Sequence, residues 1–349
     1  MKPQESLKDV TILVSYFNKE EFIDRLFKSL KALAHLGARI VIINDGSTVH
    51  STESLISAIS ELSTEIGSIT LHHQRNVGSA ATRNRLVEKV KTPFFVFLDA
   101  DDEIDADILS KCLHHLEDSN ADLLVAGIES QGEFSPYVMP ERVDVIKEVE
   151  LDGETSIYQK MGYWRYLYRT KFIRNNNIRF IPEKNQLGGK HFIFDDVFWM
   201  IQLEEIARKI IVTPFNVAFY RYFPPSFTQQ SRFEYREQEK LMPAATQIYL
   251  KERCVQEKSL KPLSQKEIKN LCFNLDSCYH DLSPKSKISN FPSYIFTVIK
   301  IAQKSQMYSW RLFCIEVPKK TGLFIRLCGL VALKFILHEL RGLLQRLER

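Results

Sequence analysis

The sequence predicts an α/β fold, with a mostly parallel central sheet covered by helices on both faces and a helical C-terminal region behind it. Three observations lead there. Apolar runs alternate with stretches of helical periodicity through the first half of the chain. The connections between them are short, the signature of βαβ units. The run at 94–98 (FFVFL) has no polar residue, as a strand buried on both faces requires.

The elements follow in order. Residues 11–17 (TILVSYF) read as a buried strand, and 20–36 as a helix with Phe22, Ile23, Leu26, Phe27, Leu30 and Leu33 on one face. Residues 39–43 form a second strand, closed by a turn at Asp45, Gly46 and Ser47. A helix over 53–62, a strand over 69–72 and a helix over 80–90 come next. The apolar strand 94–98 then runs into an acidic cluster, followed by a helix over 108–116 and a strand over 122–127 (DLLVAG). Beyond residue 132 the pattern loosens. Residues 163–177 are aromatic and basic, 183–190 form a glycine-containing loop, 195–206 read as a helix, and 208–222 hold two short strand-like runs. From about residue 233 the periodicity is helical, broken at Pro262, Pro284, Pro292 and Pro318, so a domain boundary is expected near residue 230: domain 1–230, then 231–349.

Composition narrows the class. The 349 residues are 44% hydrophobic and 26% charged, an ordinary globular balance that excludes collagen-like, disordered and coiled-coil chains. The net charge is +4, unevenly spread: residues 285–349 hold 12 Lys/Arg against 3 Asp/Glu, about +9, leaving about −5 for the rest. The six cysteines form no CxxC pair or zinc spacing, which suggests reduced thiols and a cytoplasmic setting. The polar N-terminus and the absence of an 18-residue apolar stretch give the expectation of no secretory signal and no membrane span.

In parallel sheets ligands sit beyond the carboxyl ends of the strands, so the polar groups there are the candidates. Asp99, Asp101 and Asp102 place three carboxylates within four positions. Packed together they repel, and Mn²⁺ or Mg²⁺ with substrate phosphates would relieve that conflict. A helix N-terminus is the competing explanation. Arg83, after Asn76 and Gly78, suits phosphate oxygens, or simply a solvated helix face. Asp195 and Asp196 lie among aromatics that would raise a carboxylate pKa and make a competent base; an N-cap followed by a first-turn acid is the alternative.

Taken in order, these features resemble the family 2 glycosyltransferases of the GT-A fold over roughly residues 9–225. Val14 to Asn18 with Glu20 and Glu21 resembles the first-strand motif. Asn44 to Ser47 resembles the Asp-Asp-Gly-Ser turn that contacts the nucleobase, Asn76 to Asn84 the N-x-G-x-x-x-A-R-N segment, and Asp99 to Asp102 the DxD-type site. Trp164 to Arg169 with Asn177 to Phe180 is similar to the W-N-x-L-Y-R … N-I-x-F block that precedes the acidic pair. Ser15, Asn44, Thr82, Arg85 and Arg165 depart from the usual residues, and Arg165, where Asn is usual, is taken as the mark of a different acceptor.

The resemblance implies an inverting glycosyltransferase using a nucleotide-diphosphate sugar, UDP-linked in most such members, with Mn²⁺ or Mg²⁺ at Asp101 and Asp102. Tyr16, Asn18, Glu20, Asp45, Arg83, Asp99 and Asp101 are the expected donor-binding residues. Asp196 is the expected base, with Asp195 the close alternative. Trp164 and Trp199 are expected to contact acceptor or sugar, with ordinary core packing the competing reading. A catalytically silent sugar-nucleotide-binding or scaffolding protein of the same fold is the alternative function.

Residues 323–347 form a mainly apolar helical pattern whose Arg326, Lys334, His338, Arg341 and Gln345 share one stripe. This is the pattern of a helix lying on an anionic membrane, with packing or homo-oligomer formation as the alternative. No nucleic-acid motif accompanies the charge. A cytoplasmic enzyme of bacterial surface polysaccharide synthesis, peripheral on the inner face of the membrane, with a glycan or lipid-linked acceptor, is the expected setting.

Overall fold

The computed structural model of the protein describes residues 6–63, 69–131, 145–151, 162–180, 199–200, 202–203 and 206–221. The loop over 183–190, the boundary near 230, the helical C-terminal region and the basic tail lie outside these residues.

Strand β1 (Val10–Tyr16) is buried over nearly its whole length, because every position is apolar, Thr or Ser. A 3-10 turn (Glu20–Phe22) leads into α1 (Ile23–His35), which buries Leu26, Phe27, Leu30 and Leu33. β2 (Arg39–Asp45), α2 (Val49–Ser63), β3 (Ile69–Gln74), α3 (Ser79–Lys89) and β4 (Phe94–Asp99) follow in βαβ order. β5 (Glu103–Ile104) precedes α4 (Ala106–Glu117), whose first turn is capped by the Asp105 carboxylate accepting from the Ile108 N–H at 2.9 Å. β6 (Leu123–Gln131), β7 (Lys147–Glu150), β8 (Tyr166–Arg169), α5 (Thr170–Asn175) and β9 (Lys209–Arg221) complete the described elements.

One sheet runs β3-β2-β1-β4-β8-β6-β9-β5, with β7 also paired to β9. The block β3-β2-β1-β4 is parallel throughout, β6 is parallel to β9, and the remaining pairings are antiparallel. The parallel ladders hold most of the paired positions, so the predicted α/β fold is the observed one. Register brings the strand ends to one level: Tyr16 faces Asn44, Asp45 faces Gln74, and Ser15 faces Asp99. That shared edge gathers the candidate residues. β8 runs against β4 with Phe95 opposite Tyr168, so the 3-10 turn at Tyr163–Arg165 just before β8 arrives at the same edge.

Behind the edge the core is aromatic. Phe180 and Trp199 stack at 4.5 Å between centroids, and Phe97 presents edges to Tyr163, Tyr168, Phe180 and Trp199. Such pairs add to the large apolar area these rings bury.

The differences from expectation are local. The two runs expected over 208–222 are one strand, β9, whose ladder to β6 shifts register around Pro214; a proline cannot donate to a ladder and is tolerated at such an irregularity. The strand expected at 122–127 extends to Gln131. The aromatic and basic stretch at 163–177 resolves into β8 and α5. Helical backbone at Trp199, Met200, Gln202, Leu203 and Ile206 agrees with the helix expected over 195–206.

Candidate functional site

The β2 turn is built around two polar side chains. The Asn44 amide oxygen accepts from the Ser47 N–H at 3.0 Å, an Asx-type turn, and its nitrogen donates to Thr52 Oγ1 at 2.9 Å. Asp45 is 4% exposed. Its Oδ1 accepts from Val77 N–H at 2.9 Å and Gln74 Nε2 at 2.8 Å, and its Oδ2 from Gly78 N–H at 3.0 Å. Asp45 therefore locks the β2 turn onto the loop after β3. Gly46 allows the approach: its φ is +74°, and a Cβ there would lie 2.5 Å from the Asn76 nitrogen.

Two of the residues that depart from the family pattern serve this lock. Gln74 Nε2 also donates to Thr82 Oγ1 at 2.8 Å, and Gln74 Oε1 accepts from Arg85 Nη1 at 2.5 Å. Thr82 and Arg85 thus fix Gln74, and Gln74 fixes Asp45.

Asn18, at φ +48°, closes the first-strand turn against the second: its Oδ1 accepts from Thr48 N–H at 2.8 Å, and its own N–H donates to Ser47 Oγ at 3.0 Å. Tyr16 is fully buried, its hydroxyl 2.9 Å from Ser51 Oγ, and burial pushes its phenol pKa up. A hydrogen bond from Ser51 holds the exposed Glu20 carboxyl below its usual range. These four residues form one surface over the β1 and β2 ends, in which Tyr16 and Asp45 are supports beneath and Asn18 and Glu20 lie nearer solvent.

The acidic turn after β4 is not one mutually repelling cluster. Asp99 accepts the Tyr163 hydroxyl on both oxygens, at 2.6 and 2.7 Å, with Arg83 Nη2 at 3.5 Å. The Arg83 guanidinium lies over the Tyr163 ring at 4.3 Å and near the Phe180 ring at 5.5 Å. Asp101 binds the Lys19 ammonium at 2.6 Å. Asp102 is 4% exposed, and its N–H donates to the Asp99 carbonyl at 3.0 Å, closing a tight turn. Arg83 and Lys19 bring positive charge to Asp99 and Asp101.

Among the described residues no three His, Cys, Asp or Glu side chains cluster as ligands of one ion. Asp99 and Asp101 nevertheless keep about a quarter of their side-chain surface exposed, at 26% and 28%. Mg²⁺ and Mn²⁺ are commonly held by one or two carboxylates plus phosphate oxygens and waters. The residues fit that kind of cation, bridged by substrate, and not an all-protein cage. The Lys19 ammonium on Asp101 stands in for such a cation.

Trp199 is fully buried, stacked on Phe180 with its indole N–H donating to the Tyr168 hydroxyl at 3.1 Å, so it sits in the core. Trp164 is 6% exposed, and its ring fills the space a Cβ on Gly162 would take. Asp195 and Asp196 lie outside the described residues. Lys19 and Tyr163 were missed by motif reading. Each lies beside a motif, but only the fold brings Lys19 to Asp101 across 82 positions and Tyr163 to Asp99 across 64.

Among the described residues no helix is long and apolar enough to cross a membrane.

Comparison with known proteins adds to this geometry. Residues 11–204 match the family model described as Glycosyl transferase family 2. The teichoic acid poly(glycerol phosphate) polymerase of Staphylococcus epidermidis is 31% identical over 215 residues, 61% of this chain and 28% of that protein. Glycosyltransferase GlyA of Streptococcus pneumoniae is 24% identical over 225 residues, 61% of this chain and 30% of that protein. The chain therefore aligns with less than a third of the length of either relative. S. aureus TarS 1–349 in complex with UDP-GlcNAc superimposes with a TM-score of 0.62 at 16% identity, covering 84% of this chain and 81% of that one, and has the same fold.

Proposed function

The chain belongs to glycosyl transferase family 2 and has the GT-A fold, and from that premise we propose an inverting transferase that moves a sugar from a nucleotide-diphosphate donor to an acceptor hydroxyl. One observation supports this most: four parallel strands end at one level, where the Asp45 turn, Arg83 and the Asp99–Asp101 turn meet. A UDP-sugar is the proposed donor, the class named for the complex of TarS, which shares the fold. A bacterial surface polymer is the proposed acceptor. The name of the S. epidermidis relative makes a glycerol-phosphate polymer the first to try.

The chemistry assigns each group a task. The acceptor hydroxyl attacks C1, the bond from C1 to the diphosphate oxygen breaks, and the nucleoside diphosphate leaves with its electron pair. Asp196, with Asp195 the alternative, takes the hydroxyl proton. Attack opposite the leaving group inverts the anomeric centre, so an α-linked donor gives a β-glycoside. Arg83, held over Tyr163 and beside Asp99, faces the departing charge. A divalent cation held at Asp101, with Asp99 or Asp102 near it, would supply Lewis-acid stabilisation of the same charge when bound. Lys19, paired with Asp101 at 2.6 Å, would compete with such a cation for that carboxylate. The basic tail is proposed to hold the enzyme at an anionic membrane surface, near a lipid-linked acceptor.

Calorimetric titration with UDP, with and without Mn²⁺, tests the reading. Binding that weakens on chelation or in Asp101→Ala is expected, followed by transfer from one member of a UDP-sugar panel. Failure to bind UDP, GDP, TDP and CMP alike would overturn it.

A further inference from the structure

The arginines behind the sheet divide into two kinds. Arg169 donates to the carbonyls of Ala121, Leu116 and Ser119 and lies over the Phe94 ring. Arg174 donates to the carbonyls of Val87, Glu88 and Val90. These guanidinium groups are spent as structural pins. Arg165 is more deeply buried than either, at 3% exposure, and among the described residues its side chain donates from Nε, to the Ala126 carbonyl at 2.6 Å. Among the described residues no carboxylate pairs with it. Burial lowers its pKa, because desolvation disfavours the charged form. A buried charge is costly unless something compensates it.

Its place in the fold says what that compensation is. Tyr166 pairs with Val125, so Arg165 and Ala126 sit one step further toward the carboxyl edge of the sheet. Tyr163, two residues earlier in the same turn, holds Asp99. The nucleotide-side residues come from β1, β2 and the turn after β4, whereas Arg165 enters from β8, on the other side of β4. Arg165 thus lies apart from the donor-binding candidates, across β4 from them. A guanidinium with Nε committed still presents its two terminal nitrogens as a fork, matched to two oxygens of a phosphate.

The geometry points to Arg165 as the recognition residue for a phosphate of the acceptor, so that the enzyme selects acceptors carrying a phosphodiester near the attacking hydroxyl. This rests on the transferase reading above. It also explains why an arginine replaces the usual asparagine at this position of the motif.

The test uses the full chain, with glycerol 3-phosphate as probe, glycerol as its uncharged control, and UDP as the donor-side control. In wild type, glycerol 3-phosphate raises the melting temperature and glycerol at the same concentration does not. In Arg165→Met the phosphate-dependent shift is lost and affinity for glycerol 3-phosphate falls at least tenfold, while UDP affinity stays within twofold. Arg165→Lys restores part of the shift, and its retained charge keeps the test usable should the methionine variant fail to fold. A phosphate shift that survives in both variants would overturn the inference while leaving the transferase reading intact. Loss of UDP binding in place of glycerol 3-phosphate binding would also overturn it, by putting the guanidinium on the donor. Failure of the whole nucleotide panel in wild type, with an Arg165-dependent phosphate shift still present, would sink the transferase reading and not the anion site.

Discussion

Replacing Lys19 with methionine should tighten metal binding. The Lys19 ammonium lies 2.6 Å from Asp101 Oδ2, with side-chain exposures of 30% and 28%, and 5.2 Å from the centre of the Phe22 ring. Methionine keeps the length and the apolar contact with Phe22 and removes the charge. Unit charges about 3 Å apart attract by about 1 kcal/mol in water and about 5 kcal/mol at an effective dielectric of about 20. Desolvation and side-chain ordering offset most of that, and partly exposed pairs retain about 1 kcal/mol at most. A divalent cation must displace the ammonium, so its absence should lower the Mn²⁺ dissociation constant about fivefold, the equivalent of about 1 kcal/mol. The assay is loss of the free Mn²⁺ electron paramagnetic resonance signal on titration with protein, at saturating UDP. The gap between wild type and Lys19→Met should shrink as ionic strength rises, because partly exposed charges are screened. Unchanged or weaker Mn²⁺ binding in the variant would refute competition for Asp101 and make Lys19 a partner of the metal–phosphate complex.

Three other outcomes are expected. Gly46→Ala should cost about 2 kcal/mol or more in urea unfolding and weaken UDP binding, because φ is +74° and the new Cβ would press on the Asn76 backbone. Tyr163→Phe should leave Asp99 without its short hydroxyl bond, lowering turnover at least tenfold with a smaller change in melting temperature, since bonds to a charged group are worth about 1.5–3 kcal/mol. Burial pushes the Cys112 thiol up to about 12 from 9.0. The unfolded chain therefore loses that proton first, and the stability it contributes, full below pH 9.0, falls as pH rises toward 12. The slope is about 1.4 kcal/mol per pH unit at most, and urea unfolding of Cys112→Ala at pH 8 and pH 10 should show a shallower decline than wild type.

The parallel half of the fold was legible because its strands are apolar along their whole length and their helices are strongly periodic, as in β1 and α1. In the antiparallel half only β6 and β9 were read as strands. β5 has two residues and β8 four, too short for a period to register, and β9 carries Pro214, which reads as a break. The turn at Asp45 and the acids after β4 were visible as motifs, but their partners were not. Lys19 and Tyr163 reach the acidic turn only once β1, β4 and β8 are side by side. Arg165 was noticed as an odd residue, yet nothing local tells a buried arginine from an exposed one; its depth follows from β6 and β8 closing over it.

The Gln74 relay has an evolutionary consequence. Asp45, Gln74, Thr82 and Arg85 satisfy one another, so the merit of each identity depends on the other three. Such positions are epistatic. Installing the more usual alanine at Thr82 or glycine at Arg85 singly removes a partner from Gln74 and loosens Asp45 at second hand, whereas exchanging the set as a block need not. Chimaeras with its relatives should therefore cut outside residues 44–85, so that the four stay together.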